Sequence, residues 1–134
     1  MPSVCFVMLN PSTADAFRDD PTLRRCIGFA RAWGFGGLEV VNLYSYRATA
    51  PADLKKALLP NGPDNDAHLH AAATGAARVV AAWGNHGDPS RVAAVLSLLR
   101  AAAGQVWCLG QTRTGAPRHP LRLPAATRLV KYTL

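Results

Sequence analysis

The chain has 134 residues, 49% of them hydrophobic and 17% charged, and a formal net charge of +7. That length suits one domain, residues 1–134, built on one core, and is too short for two. No apolar stretch approaches the roughly 18 residues of a membrane span, and Met1-Pro2-Ser3-Val4 enters a strand pattern with no charged leader before it. The expected location is therefore cytoplasmic, with no membrane partner.

Residues 4–9 form an apolar run that ends in the polar loop Asn10-Pro11-Ser12-Thr13-Ala14-Asp15. A helix opens at Pro21-Thr22, with Asp19-Asp20 at its positive end. Leu23, Cys26, Ile27, Ala30 and Trp33 share one side at helical spacing, while Arg24, Arg25 and Arg31 read as the solvated side. Gly34 breaks the pattern, and residues 38–43 form a second apolar run, followed by Tyr44-Ser45-Tyr46-Arg47-Ala48-Thr49. Pro51 starts a short helical turn, Asn61-Gly62-Pro63 is a turn, and Asp64 caps a helix reaching about Gly75.

A third run, residues 78–83, leads into Gly84-Asn85-His86-Gly87. Asp88-Pro89 pairs a cap with proline at the first helical position. Val92, Val95, Leu96, Leu99 and Ala103 make the apolar face of that helix, which Gly104 ends. The fourth run, residues 105–109, precedes the loop from Gln111 to Pro120, and residues 125–134 fit strand or helix equally. Strand–helix alternation predicts a three-layer α/β/α sandwich around a small, mainly parallel four-stranded sheet. All four polar loops then emerge at one carboxyl edge, where open α/β sheets place their ligand crevice.

Cys5, Cys26 and Cys108 are odd in number, lack metal-ligand spacing and sit in apolar patterns, so they read as small buried hydrophobes. No cofactor or metal is implied. Charge is unevenly distributed. Residues 1–88 carry eight basic and eight acidic side chains, whereas residues 89–134 carry Arg91, Arg100, Arg113, Arg118, Arg122, Arg128 and Lys131 with no acid. One-sided basicity of this kind is the footprint of a nucleic-acid or phosphate ligand, against the plainer reading of a solubilising surface.

Among the loop residues, Asn10 suits the orientation of a water, or the capping of its own turn. Asn42, a polar amide inside an apolar run, carries the donors and acceptor needed to pair with a base edge, or with a neighbouring backbone. His119, between Arg118 and Pro120, suits a hydrogen bond or positive charge toward a base oxygen or a phosphate, and His86 reaches the same edge. His68 and His70 face different directions on a helix and read as exposed. Ser12, Thr13 and Ser45 come with neither a triad nor a nucleophile elbow.

Over most of its length the chain resembles a bacterial family catalogued as domain of unknown function 1643. The carrying motifs are residues 6–15, 20–25, 41–43, 47–49, 83–87 and 115–121. The order of the motifs is also similar to that of uracil-DNA glycosylases, which share a four-stranded parallel sheet with the site at the carboxyl ends of its strands. Leu9-Asn10-Pro11-Ser12, Val40-Val41-Asn42-Leu43 with Arg47, Trp83-Gly84 and His119-Pro120 carry that likeness. Leu121 departs from the small hydroxyl residue of those enzymes, and no aspartate stands beside Pro11.

The second resemblance implies hydrolysis of an N-glycosidic bond in nucleic acid, DNA ahead of RNA, or in a nucleotide. Asn10 and His119 would be catalytic. Pro11, Ser12, Asn42, Arg47, Trp83, His86, Arg113 and Arg118 would bind substrate. The alternative is a non-catalytic nucleotide- or nucleic-acid-binding module, with Asn10-Pro11-Ser12-Thr13 holding a phosphate on backbone N–H groups.

Overall fold

Four of the apolar runs become strands in the computed structural model, which describes residues 2–9, 21–44 and 65–133. They are β1 (Ser3–Met8), β2 (Gly37–Asn42), β3 (Arg78–Ala81) and β4 (Val106–Cys108). All four are parallel neighbours in the order β2-β1-β3-β4. A parallel sheet must be covered on both faces, which is why its strands read as near-continuous apolar runs.

The sheet differs from the four-stranded expectation. It is five-stranded and mixed, because β5 (Val130–Lys131) pairs antiparallel with β4. Two residues are too few to show a period, so this strand has no local signature. Its anchor is the next residue. Tyr132 is buried, donates its backbone N–H to the Val106 carbonyl at 2.9 Å, and meets Trp83 edge-on at 6.1 Å between ring centroids.

Three helices supply the covering layers: α1 (Pro21–Ala32), α2 (Asn65–Gly75) and α3 (Pro89–Ala103). On one face Cys5, Val7, Val41, Leu43, Val79, Ala81, Trp83 and Val106 pack with Leu69, Ala72 and Ala73 of α2 and Val95, Leu96 and Leu99 of α3. Asp88 caps α3, its carboxylate accepting from the backbone N–H groups of Ser90 and Arg91, with Pro89 in the first turn. The capping signal in the sequence is thus a capped helix.

On the other face Val4, Phe6, Met8, Val80 and Ala82 pack with Cys26, Phe29 and Ala30 of α1. Trp33 stacks on Phe6 and Phe29, with centroids at 6.0 and 5.3 Å. The buried rings of Phe6 and Phe29 each contribute roughly 2–3 kcal/mol by leaving water. Leu123 and Leu129 join this cluster from the irregular stretch after Pro120.

Two expectations for α1 are corrected here. Arg25 is not on a solvated side: its guanidinium lies 4.9 Å from the Phe29 ring centroid and donates to the Leu123 carbonyl. Leu23, placed on the apolar side, is instead 42% exposed. Trp33 adds a second clasp through its indole N–H, 3.2 Å from the Thr127 carbonyl. The layer over this face is therefore one helix plus a strap held to it by two long side chains.

All three cysteines are buried, and none of them forms a disulfide. Among the described residues no helix is long and apolar enough to cross a membrane. The turn at Pro51, the cap at Asp64 and the acids Asp19 and Asp20 lie outside the described residues.

Candidate functional site at the carboxyl edge of the sheet

Register fixes which residues share the edge. Met8 pairs with Asn42, Val7 pairs with both Val41 and Ala81, and the Ala82 N–H donates to the Val7 carbonyl at 2.9 Å. Met8, Asn42 and Ala82 therefore stand at one level, with β2 and β3 two strand spacings, roughly 10 Å, apart. Between β1 and β3 the chain order reverses, and open α/β sheets put their crevice outside such a point.

Asn42 closes the alternating row Leu38, Val40, Asn42 on the α1 face, where Leu38 and Val40 pack into the core. Its backbone is held from the opposite layer. The side-chain amide of Asn65 donates to the carbonyls of Asn42 and Leu43 at 3.1 and 3.2 Å. Arg91, in the first turn of α3, donates Nε to the Leu43 carbonyl at 2.8 Å and pairs through Nη1 with Asp66 at 2.7 Å. Tyr44 accepts from the Asp88 N–H at 3.0 Å. The end of β2 is thus fixed by three side-chain links to α2, α3 and the α3 cap. Sequence reading missed Asn65 and Arg91. The one signal for Asn65 was an amide next to the predicted cap Asp64.

β3 ends at a close passage. Gly84 adopts φ +75, a left-handed conformation that favours glycine, and its N–H donates to the Pro117 carbonyl at 2.9 Å. That bond brings the His119 segment against β3, where a Cβ on Gly84 would stand 3.8 Å from the His119 Cβ. His119 Nδ1 accepts from the Leu121 N–H at 3.1 Å. An accepting Nδ1 puts the proton of the neutral ring on Nε2, leaving that atom a donor.

Between β4 and His119 the chain forms a small hairpin. Arg118 N donates to Gly110 O and Thr112 N to Ala116 O, at 2.9 and 2.8 Å, around the Gln111–Pro117 bridge. Asn85 Oδ1 accepts from both Thr112 Oγ1 and Thr114 Oγ1, at 2.7 and 2.9 Å, tying the loop after β3 to this hairpin. Arg113 and Arg118 are exposed on it, and Arg118 lays its stem along Gly110, where a Cβ would be 3.3 Å from its Cδ.

The structure therefore brings Asn42, His119, His86, Arg113 and Arg118 to the loops and strand ends of one edge. Trp83 differs from its expected substrate role. It is 2% exposed, enclosed by the core and Tyr132, and serves as a wall behind the edge. Arg91, counted with the basic surface in the sequence, is likewise an interior residue, its side chain 9% exposed. His68 and His70 are exposed on α2, as expected. Asn10, Pro11, Ser12 and Arg47 lie outside the described residues. Among the described residues, no three or more His, Cys, Asp and Glu side chains gather as a metal site would require.

Burial acts on the ionisable groups of the core. It pushes the Cys5 thiol from an ordinary 9.0 up to about 12, helped by the charge of Glu39, its register partner on β2. Burial also raises Cys108, against a backbone hydrogen bond from Gly110, and raises Tyr132. Neither thiol is a nucleophile in this setting.

Helices on both faces of a predominantly parallel, five-stranded mixed sheet define an α/β protein of the open-sheet kind. Within that class the chain belongs to the family described as protein of unknown function (DUF1643), whose profile matches residues 1–121. The matched span takes in all four parallel strands, the hairpin and His119. No curated protein and no solved structure matches the chain.

Proposed function

We propose that the carboxyl edge is a base-recognition site of the uracil-DNA glycosylase kind, acting on a base or nucleotide in nucleic acid by hydrolysis of its N-glycosidic bond. The observation that carries this reading is the placement of His119: it abuts Gly84 beside the β1–β3 reversal, with Nδ1 accepting from the Leu121 N–H. Asn42, on the same edge, offers an amide to the edge of a base.

In the reaction the C1′–N bond breaks with its electron pair leaving on the base, a water oxygen bonds C1′, and the proton that this water sheds passes through solvent to the base anion, so that OH ends on the sugar and H on the base. Nε2–H of His119 hydrogen-bonds the base oxygen on which negative charge develops, where such a donor lowers the barrier most. Asn42 pairs with the extruded base. Asn10 takes the water, and Arg113 and Arg118 take flanking phosphates. The four parallel strands are in keeping with this kind of fold, and the antiparallel β5 departs from it.

The test is release of free base from a panel of deaminated and mismatched oligonucleotides, with Asn42→Asp and His119→Ala beside the parent. The expected result is release by the parent, loss of turnover greater than loss of binding for His119→Ala, and altered base preference for Asn42→Asp. Binding of the panel with no release from any member would replace this reading with a non-catalytic nucleotide-binding module.

A further inference from the structure

A second aromatic and basic surface lies away from that edge, on the face of the sheet that α1 covers. Trp107, in the middle of β4, pairs with Val80 of the α1-side core, which puts its indole on that face. Leu123, Leu129, Leu38 and Val40 all pack into the core there; Trp107 does not, and it remains partly exposed. The guanidinium of Arg78 lies over its ring at 5.1 Å from the centroid. Lys131 of β5 stands directly opposite Trp107 across the antiparallel pair, with Cβ atoms roughly 5 Å apart.

Charge on this layer has one sign. Arg78 and Lys131 flank Trp107, Arg31 is exposed at the end of α1, and Arg128 is exposed in the strap between Thr127 and Leu129. Among the described residues the acids lie elsewhere. Asp66 and Asp88 belong to the α2–α3 layer, and Glu39 alternates to the opposite face of β2.

The Trp107 indole is thus partly exposed, with Arg78 over its ring, Lys131 opposite it in the pairing and no described acid beside it. We propose that the Trp107–Arg78–Lys131 surface is a stacking platform for an unpaired base of single-stranded nucleic acid. The base joins the Trp107–Arg78 stack, since guanidinium and indole planes both accept a base face, and Arg78 and Lys131 neutralise the phosphates on either side. A duplex keeps its base faces inside the stack and gains only the charge term, so the platform selects single strands.

This inference does not rest on hydrolysis at the carboxyl edge, and its test is separate. Anisotropy titrations use a labelled oligo(dT) and a duplex of the same length, with Trp107→Tyr and Trp107→Leu beside the parent. Trp107→Leu keeps an apolar side chain without a stacking plane and should weaken oligo(dT) binding about 10-fold or more. Trp107→Tyr should retain most of the affinity, and duplex binding should be unchanged in both.

Arg78→Gln and Lys131→Gln should each lower the salt slope for oligo(dT) by about 0.7. Binding should also quench Trp107 fluorescence, and the quench should survive Trp83→Phe. Equal oligo(dT) affinity for Trp107→Leu and the parent overturns the proposal, as does no oligo(dT) binding by the parent at low salt. Loss of base release in His119→Ala with oligo(dT) binding intact would leave the platform standing on its own.

Discussion

Asn65 and Asn42 are joined at 3.1 Å through the side-chain amide of one and the backbone carbonyl of the other. The bond runs from the first residue of α2 to the last residue of β2, and Arg91 reinforces it from α3 through Leu43. An edge strand has neighbours on one side only, so its terminal carbonyls would otherwise face water. Here two helices on one face of the sheet set the position of an amide whose side chain belongs to the other face.

That arrangement predicts the cost of removing Arg91. Asp66 is 56% exposed, so the ion pair itself is screened and worth little. The larger loss is the part-buried, charge-assisted bond to the Leu43 carbonyl. Arg91→Ala should lower stability by about 1–2 kcal/mol. Arg91→Lys, which keeps the charge and loses the planar fork, should recover less than half of it. Urea unfolding with unchanged m-value measures both. A neutral Arg91→Ala would mean that Asn65 alone holds the strand end.

Much of this fold can be read in the chain, and the failures share a cause. The runs at residues 4–9, 38–43, 78–83 and 105–109 mark strands because a parallel sheet is buried on both faces and tolerates few polar residues. Asp88-Pro89 marks a helix start because capping is local chemistry. Arg25 and Arg91 were misplaced because a long stem with a charged head can lie along apolar surface, and tertiary partners decide whether it does. β5 is not legible because two residues show no period, and its neighbour Tyr132 meets Trp83, 49 positions distant in the chain. At the edge, Asn42 is visible as a polar residue where a strand ends, and His119 as a polar residue in the loop that follows β4. Asn65 is not, because its role is to bond a backbone that sequence does not display.

Cys5 gives the protein an alkaline limit. Its thiol is raised from 9.0 to about 12 in the folded chain, so the unfolded chain loses this proton first as pH rises. Its contribution is fully present below pH 9.0 and declines until about pH 12, with a slope of about 1.4 kcal/mol per pH unit inside that window. Cys108 and Tyr132, shifted in the same direction, add to the decline. Cys5→Val should flatten the pH dependence of the urea midpoint across the window while changing it little near pH 7. An unaltered alkaline slope in Cys5→Val would show that Cys5 titrates alike in both states.

Gly87 sits where the loop after β3 meets the core. A Cβ there would stand 2.7 Å from Val92 Cγ2 and 3.2 Å from Leu43 Cδ1. Val92 is β-branched and helical, so it has one favoured rotamer and little freedom to retreat. Gly87→Ala should therefore destabilise by about 1–3 kcal/mol. In a Val92→Ala background the same change should cost at least about 0.5 kcal/mol less, because the clashing methyl is gone. Additive costs in the double mutant would place the strain on the backbone instead.

Arg122 is the one described residue other than glycine with positive φ, at 72°. It occupies the third position of the turn that Leu123 N closes onto Pro120 O, a position where glycine is favoured. An arginine there costs on the order of 1 kcal/mol relative to its ordinary conformations. Arg122→Gly should relieve the strain, offset in part by the entropy of the unfolded glycine, and raise stability by up to about 0.5 kcal/mol. The turn follows His119 directly, so the same change removes a cation beside the candidate site. If this charge meets a phosphate, the salt slope for duplex binding should fall by about 0.9 as the melting temperature rises. Arg122→Lys keeps both the strained backbone and the charge, and should leave stability and slope close to those of the parent. A more stable Arg122→Gly with an unchanged slope would remove Arg122 from the binding surface and leave its strain without a role in nucleic-acid recognition.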